Sequence, residues 1–426
     1  MGLLGSLVGA PGPAFSAWTV GTPIVTYYGG PGRDIPQTDV TAAQLAEGGW
    51  NLVWARTQAE LTAAQAHGLR AMWTGPLDDA TVESIRDNPA LYSYYVVDEP
   101  NASQFADLAA TVSRLRALDP DHVAYLNLFP NYATPEQLGI SGSSEPYVEH
   151  LKRYMSTVHP SLLSYDHYQF NVGSDLPYYF QNLAIISHAA KQAGVPFVNI
   201  VQACSWYTWV RVPTGNELRF LYTTSLAYGA QGISQFVYYG ANVLPEGGGM
   251  ALVDGTTTTL YDTAKTLNRE FVAIAKEVQS MRHIGAYHLG DLPWGSGATD
   301  GSSPLRLPGT SPFTISGISD TDYKQNAPVR GAVLGLWGPN DLLADATRAL
   351  VVNLDYSSAL DTRVTGPGDL SVFDPATGKW NLQAHAWADV RLLPGGGVLV
   401  GLTSAADRVP APASTEFQNP QFILHP

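Results

Sequence analysis

At 426 residues with 45% hydrophobic content, the chain carries more apolar material than a single small core needs, and a barrel of about 250 residues plus a smaller domain is a natural division. Its 23 Lys and Arg stand against 37 Asp and Glu, a formal charge of -14, so phosphate backbones and anionic membranes are repelled and nucleic acid is an unfavourable partner. The single cysteine, Cys204, forbids an intrachain disulfide, and no apolar run approaches the roughly 18 to 20 residues that span a bilayer.

Residues 1–19 read as a lead-in. Their apolar start has no Lys or Arg before it, so they are either the remnant of a trimmed signal, implying a secreted or periplasmic protein, or a flexible start to a cytoplasmic one. Short apolar runs then alternate with amphipathic segments, the pattern of βα units and a parallel sheet. Pro23–Tyr28 is the first strand, closed by Gly29-Gly30-Pro31-Gly32, whose backbone freedom permits close approach to a ligand. A helix from Asp39 stops at Gly48-Gly49, and Asn51–Ala55 is the second strand. Glu60–His67 is the next helix and Leu69–Trp73 the third strand.

Leu91–Val97 is the fourth strand, an aromatic and β-branched run between Pro89 and Pro100 that ends in Asp98 and Glu99. Ser103–Leu118 places Phe105, Leu108, Val112 and Leu115 on one helical face, with Ser103 as its cap. Val123–Leu128 is the fifth strand, ending near Asn127; a helix at Tyr147–Val158 leads to Leu162–Tyr168, whose end carries Asp166, His167 and Tyr168. Tyr178–Ala193 is helical, Pro196–Gln202 is the seventh strand, and Thr214 with Glu217 forms a capping box for a helix to Tyr228. Gly232–Tyr239 is the eighth strand, and Tyr261–Met281 a closing helix.

Eight such strands predict an α/β fold, a (β/α)8 TIM barrel over residues 20–285. An open doubly wound sheet is disfavoured, because no Gly-rich phosphate turn follows the first strand. Residues 286–330 read as a linker, and 331–426 as a C-terminal antiparallel β-sandwich domain, on the strand-like runs Thr347–Leu354, Asp369–Phe373 and Val390–Leu402 between Gly-rich turns.

In such a barrel the C-terminal strand ends form the active-site floor. They would gather Asp98, Glu99, Asn127, Asp166, His167, Tyr168, Gln202, Tyr238 and Tyr239, with Trp206 just beyond. Glycoside hydrolysis needs a carboxylic acid to protonate the departing oxygen, and normally a second carboxylate as nucleophile or base. Glu99 suits the acid if Asp98 or Asp166 raises its pKa. The bland alternatives are a surface turn stabilising a helix N-terminus for Asp98-Glu99, an orienting role for Asp166, a packed pair for His167 and Tyr168, and capping for Glu217. Trp54, Trp73, Trp206 and Trp209 lie at or after strand ends, where they either stack on sugar rings or pack the core. His122, His150, His159, His167 and His188 show no short ligand spacing, so neither a metal nor another cofactor is expected.

The Asp98-Glu99-Pro100 ending is similar to the Asn-Glu-Pro of glycoside hydrolase clan A, the β-galactosidase and cellulase superfamily, in which that Glu is the acid/base. Ser164-Tyr165-Asp166-His167-Tyr168 resembles the clan's aspartate or histidine followed by tyrosine, and the C-terminal pattern (Val351–Leu354, Asp374–Trp380, Leu392–Gly396) resembles the small sandwich that follows many such barrels. The resemblance implies a carbohydrate substrate, with Asn127, His167, Tyr168, Gln202, Trp206, Tyr238 and Tyr239 around the sugar. Two positions depart from it. Asp98 stands where the clan has Asn, and Gln202 where it has the nucleophilic Glu. Four readings stay open: a nucleophile elsewhere (Asp166 first, Glu217 more weakly, with Asp98 as the other assisting carboxylate), inversion through water, a substituted position, or a glycan-binding protein that does not cleave. A lyase acting on uronic acids, with Tyr168 or His167 as base, is opposed by the acidity of the chain. The sequence does not fix the oligomeric state.

Overall fold

Threonine and aspartate caps start the helices where apolar spacing begins. Thr38, Thr57 and Thr214 each accept a backbone N–H at the N-terminus of α1 (Asp39–Glu47), α2 (Gln58–Ala66) and the later helix Gly215–Ala227, all as capping boxes. Asp78 caps α3 (Asp79–Ile85), a helix that the sequence pattern did not signal. Helix α4 (Phe105–Leu118) is entered through a 3-10 turn, and the cap there is Asn101 rather than Ser103: Asn101 Oδ1 accepts from Ser103 N (3.0 Å) and Ser103 Oγ (2.8 Å). The remaining helices are α5 (Pro135–Leu138), α6 (Pro146–Val158), α7 (Tyr179–Ala193), α8 (Gly215–Ala227) and α9 (Thr259–Val278).

The computed structural model describes residues 23–240, 247–321, 323–324 and 328–403; the lead-in at 1–19 and the end of the expected C-terminal domain lie outside them. Eight parallel strands alternate with these helices: β1 (Ile24–Tyr28), β2 (Leu52–Ala55), β3 (Arg70–Trp73), β4 (Leu91–Asp98), β5 (Val123–Asn127), β6 (Leu163–His167), β7 (Phe197–Gln202) and β8 (Gly232–Phe236). They form two four-stranded sheets, ordered β1-β8-β7-β6 and β2-β3-β4-β5. The sheets touch at both edges. Asn51 N donates to Val25 O (3.1 Å) at one, and Leu128 N to Ser164 O (2.9 Å) at the other. The strands are buried along most of their length, which is why they read as continuous apolar runs.

After α9 the chain changes to mostly antiparallel pairing. Strand β9 (Arg282–Gly290) alternates buried and partly buried residues from Ile284 onward and pairs with Gly331–Gly338. Most of β9 thus falls within 286–330, together with the short strands Leu292–Pro293, Leu305–Arg306, Thr314–Ile315 and Tyr323–Lys324, so the stretch read as a linker is built into the sheets. Gly331–Gly338, Arg348–Asn353, Gly397–Leu402, Leu370–Asp374 and Lys379–Leu382 complete a seven-stranded mixed sheet, while Thr314–Ile315, Leu360–Thr365 and Trp387–Leu392 form a three-stranded one. Leu334, Leu336 and Val351 from the first share an apolar core with Val364, Ala388 and Leu392 from the second.

Candidate functional site

The acid cluster begins with an irregularity in β4. Tyr95 pairs with Tyr125, but Val97 pairs with Leu126, so β4 holds one extra residue there and Asp98 comes opposite Asn127. Glu99 then takes φ 45°, a left-handed conformation that side chains rarely adopt, and its N–H donates to Asn127 O (2.8 Å). That turn breaks the strict alternation that would send neighbouring side chains to opposite faces.

Asn127 holds the acids. Its Nδ2 donates to Asp98 Oδ1 (3.0 Å) and to Asp166 Oδ1 (2.9 Å), so both N–H groups are used. Its Oδ1 accepts from Ser164 Oγ (3.0 Å), and Ser164 Oγ in turn contacts Tyr125 OH (2.6 Å). Glu99 and Asp166 interact directly through their side chains. Asp166 is 3% exposed, Glu99 is half-buried and Asp98 is exposed. Burial, then the charge of Asp98, pushes the Glu99 carboxyl up to about 7, against the opposing hydrogen bond from Asp166. Burial first and the Glu99 charge second hold Asp166 well above the usual carboxylate range. Two touching carboxyls cannot both ionise cheaply, so at neutral pH they retain a proton between them.

Around the acids runs an arc of rings. Trp54, Tyr28, Phe236, Tyr168 and Trp206 follow one another at centroid distances of 5.3, 6.0, 5.2 and 4.7 Å. Tyr28 OH meets Tyr95 OH at 2.9 Å, and the Arg33 guanidinium lies 4.0 Å from the Tyr28 ring centroid. The loop carrying Arg33 packs so closely on β2 that a Cβ on Gly32 (φ 79°) would meet Trp54 O at 1.8 Å. Tyr28, Tyr95, Arg33 and the neighbouring Tyr132 were not singled out from the sequence. Tyr28 is the last residue of β1 and obeys the same strand-end rule as Asn127; Arg33 follows the Gly-rich turn.

Other expected residues have other surroundings. His167 is fully buried, contacts Asn182 Oδ1 through Nδ1 (3.0 Å) and is pushed by burial down to about 4, so it is neutral at pH 7. Gln202 is also fully buried. Its Oε1 accepts from Phe170 N (2.9 Å), while Nε2 donates to Phe170 O (2.9 Å) and Arg211 O (2.6 Å), leaving no N–H for a ligand. Tyr238 and Tyr239 lie beyond β8, which ends at Phe236; Tyr238 OH donates to Gln44 Oε1 (2.9 Å) and its ring packs on Trp50, and Tyr239 is buried against it. Both belong to packing near α1 rather than to the acid cluster. Glu217 caps α8 and accepts two bonds from Arg211 (2.6 and 2.7 Å). A cavity of about 710 Å³ opens at the opposite, N-terminal ends of β7 and β8, beside Lys191, Gln231 and His283, remote from these acids. Among the described residues no group of three or more His, Cys, Asp or Glu gathers as a metal site, and no helix is long and apolar enough to cross a membrane.

Solved structures align with this architecture over nearly the whole chain. A β-galactosidase from Bacillus circulans sp. alkalophilus matches at TM-score 0.56 and 9% identity, covering 90% of this chain and 99% of its own. The fold is shared with that β-galactosidase. A glycoside hydrolase family 5 protein from Bacteroides vulgatus matches at TM-score 0.51 and 11% identity, with 87% of each chain covered. No protein-family model and no curated protein matches the sequence.

Proposed function

We propose that the protein is a glycoside hydrolase cleaving O-glycosidic bonds in an oligo- or polysaccharide, its eight parallel strands closing as a (β/α)8 barrel and its two C-terminal sheets forming a β-sandwich. The half-burial of Glu99 beside the charge of Asp98 carries the reading. Together they give Glu99 the pKa near 7 that a general acid needs at neutral pH. Glu99 protonates the departing glycosidic oxygen. A retaining pair stands about 5 to 5.5 Å apart with the sugar between. Asp166, 3% exposed and held by Asn127, is the less open of the two remaining carboxylates to a sugar. Asp98, exposed and fixed by Asn127, is the carboxylate open to activate water or to accept a sugar hydroxyl. The arc from Trp54 to Trp206 supplies flat apolar faces for the ring, and Asn127 and Tyr168 bound the space.

Glu99→Gln keeps the shape of the side chain and removes the acid. It is expected to lower turnover on a responsive glycan at least 100-fold, since general acid catalysis is worth roughly 10² to 10⁴. Full activity in that variant would sink the assignment. A non-catalytic glycan-binding protein is the second reading, motivated by the amide of Gln202 at the end of β7, which is fully occupied by backbone carbonyls. It predicts binding by calorimetry with no product from any glycan.

A further inference from the structure

Nine large apolar side chains are exposed among the described residues, and four of them lie on three successive loops: Tyr132 after β5, Val172 after β6, and Tyr207 and Trp209 after β7. Tyr207 and Trp209 are 55% and 53% exposed and stack on each other, with centroids 5.3 Å apart and ring planes 11° from parallel. Each ring therefore covers one face of its partner and leaves the other open. Exposed apolar side chains gathered in one patch mark a contact surface.

The loop that carries them is firmly anchored. Gln202 ties its start to the Phe170 backbone and to Arg211 O. Val172 N donates to Trp209 O (2.8 Å), Arg211 N to Phe170 O (3.2 Å), and Arg211 closes on Glu217. The residue standing at the seventh-strand position thus braces an aromatic platform. Trp206, in the same loop, already packs against Tyr168 in the arc beside Glu99, so the surface is continuous with the catalytic mouth. No charged residue occurs in Ser205–Val210, and the chain carries a formal charge of -14, which together select a neutral ligand over a polyanion.

We infer that Tyr207 and Trp209 form a distal sugar-binding platform, and that the substrate is a neutral polysaccharide long enough to lie on it while one of its bonds meets Glu99. This rests on the glycosidase reading for its cleavage step but not for its binding step. Binding energy from such a remote ring holds the chain in place for the reacting bond.

Two measurements separate the two ideas. Affinity electrophoresis of the full chain bearing Glu99→Gln, in gels containing soluble galactan, mannan or mixed-linkage glucan, is expected to show retardation by one of them. Adding Tyr207→Ala and Trp209→Ala weakens that binding roughly tenfold. Undiminished retardation of the triple variant, or no retardation of the parent on any of the gels, would overturn the platform. Both rings are exposed, so folding of the variants is checked by an unchanged melting temperature. On the cleaving enzyme, the double variant is expected to lower the ratio of kcat/KM on the polysaccharide to that on an aryl monoglycoside, again roughly tenfold; an unchanged ratio counts against the platform alone. Retardation without hydrolysis by the unmodified protein would leave the platform standing and remove the hydrolase reading.

Discussion

Glu99 owes its acidity to surroundings rather than to a dedicated partner: half-burial comes first and the charge of Asp98 second. As the proposed acid, Glu99 works in its protonated form, so kcat/KM is expected to fall above about pH 7. Asp98→Asn removes the negative neighbour, lowers the Glu99 pKa and moves the alkaline limb to lower pH. A limb that stays in place would show that another group sets it. The same shift has a consequence for stability. The folded state holds the Glu99 proton more tightly than the unfolded chain, whose carboxyl titrates near its ordinary 4.5. Its favourable contribution is therefore complete below 4.5 and is lost as pH rises through about 7. Glu99→Gln lacks this loss, so its melting temperature should gain on that of the unmodified protein between pH 4 and pH 8. A constant difference across that range would contradict the raised pKa.

Strand β4 and the β7–α8 loop decide where these residues meet. Gln202→Glu tests whether the seventh-strand position can regain a nucleophile. The new carboxylate would face the carbonyls of Phe170 and Arg211, where the amide now donates. It is expected to destabilise the fold by about 3 kcal/mol, as a buried carboxylate with one oxygen on the Phe170 N–H and the other against two carbonyls, and to create no activity. Chemical denaturation reads the loss, and an equally stable, more active variant would show the loop to be less committed than its hydrogen bonds indicate. The eight strands were legible because each is a short run buried in an α/β interior, and every expected strand has a counterpart shifted by a few residues at most. The Asp98-Glu99 pair was legible for the same reason. Its convergence with Asp166 was not, because it depends on one extra residue in β4 and a positive φ at Glu99, and neither has a signature in hydrophobic periodicity. Tyr238 and Tyr239 were read as a strand end since the apolar run continues through them, yet β8 stops at Phe236 and the run goes on as packing. Strand β9 was hidden by its position, following α9 without a Gly or Pro turn of the kind that marked the other boundaries.

At the scale of the whole molecule, α8 shows how the two regions depend on each other. Ten of its residues, from Glu217 to Ala227, are buried, including three consecutive hydroxyl residues Thr223, Thr224 and Ser225. A helix buried on nearly all sides has neighbours on nearly all sides. The parallel strands cover one face, and the C-terminal sheet covers another through Thr223 Oγ1 donating to Gly395 O (2.7 Å) and Arg219 Nη1 to Pro394 O (3.1 Å). Tyr228 OH meets His288 Nε2 (2.7 Å), Trp380 Nε1 donates to Glu277 Oε2 (2.9 Å), and Tyr356 OH to Asp175 Oδ2 (2.5 Å). Val333, Trp337, Leu350, Val352 and Leu399 belong to the same apolar cluster as the parallel strands. An interface of this kind is closer to a core than to the polar contact of two loosely tethered domains. Calorimetry of the full chain should therefore give a single cooperative transition, whereas separable domains would give two. Truncation after Met281 would remove β9 and the sheet that covers this face of α8, taking away the carbonyls of Gly395 and Pro394 that Thr223 and Arg219 now meet. Such a fragment is expected to aggregate or to lose the near-ultraviolet signal of its packed aromatics. A soluble, sharply melting fragment would show that the parallel-strand region stands alone.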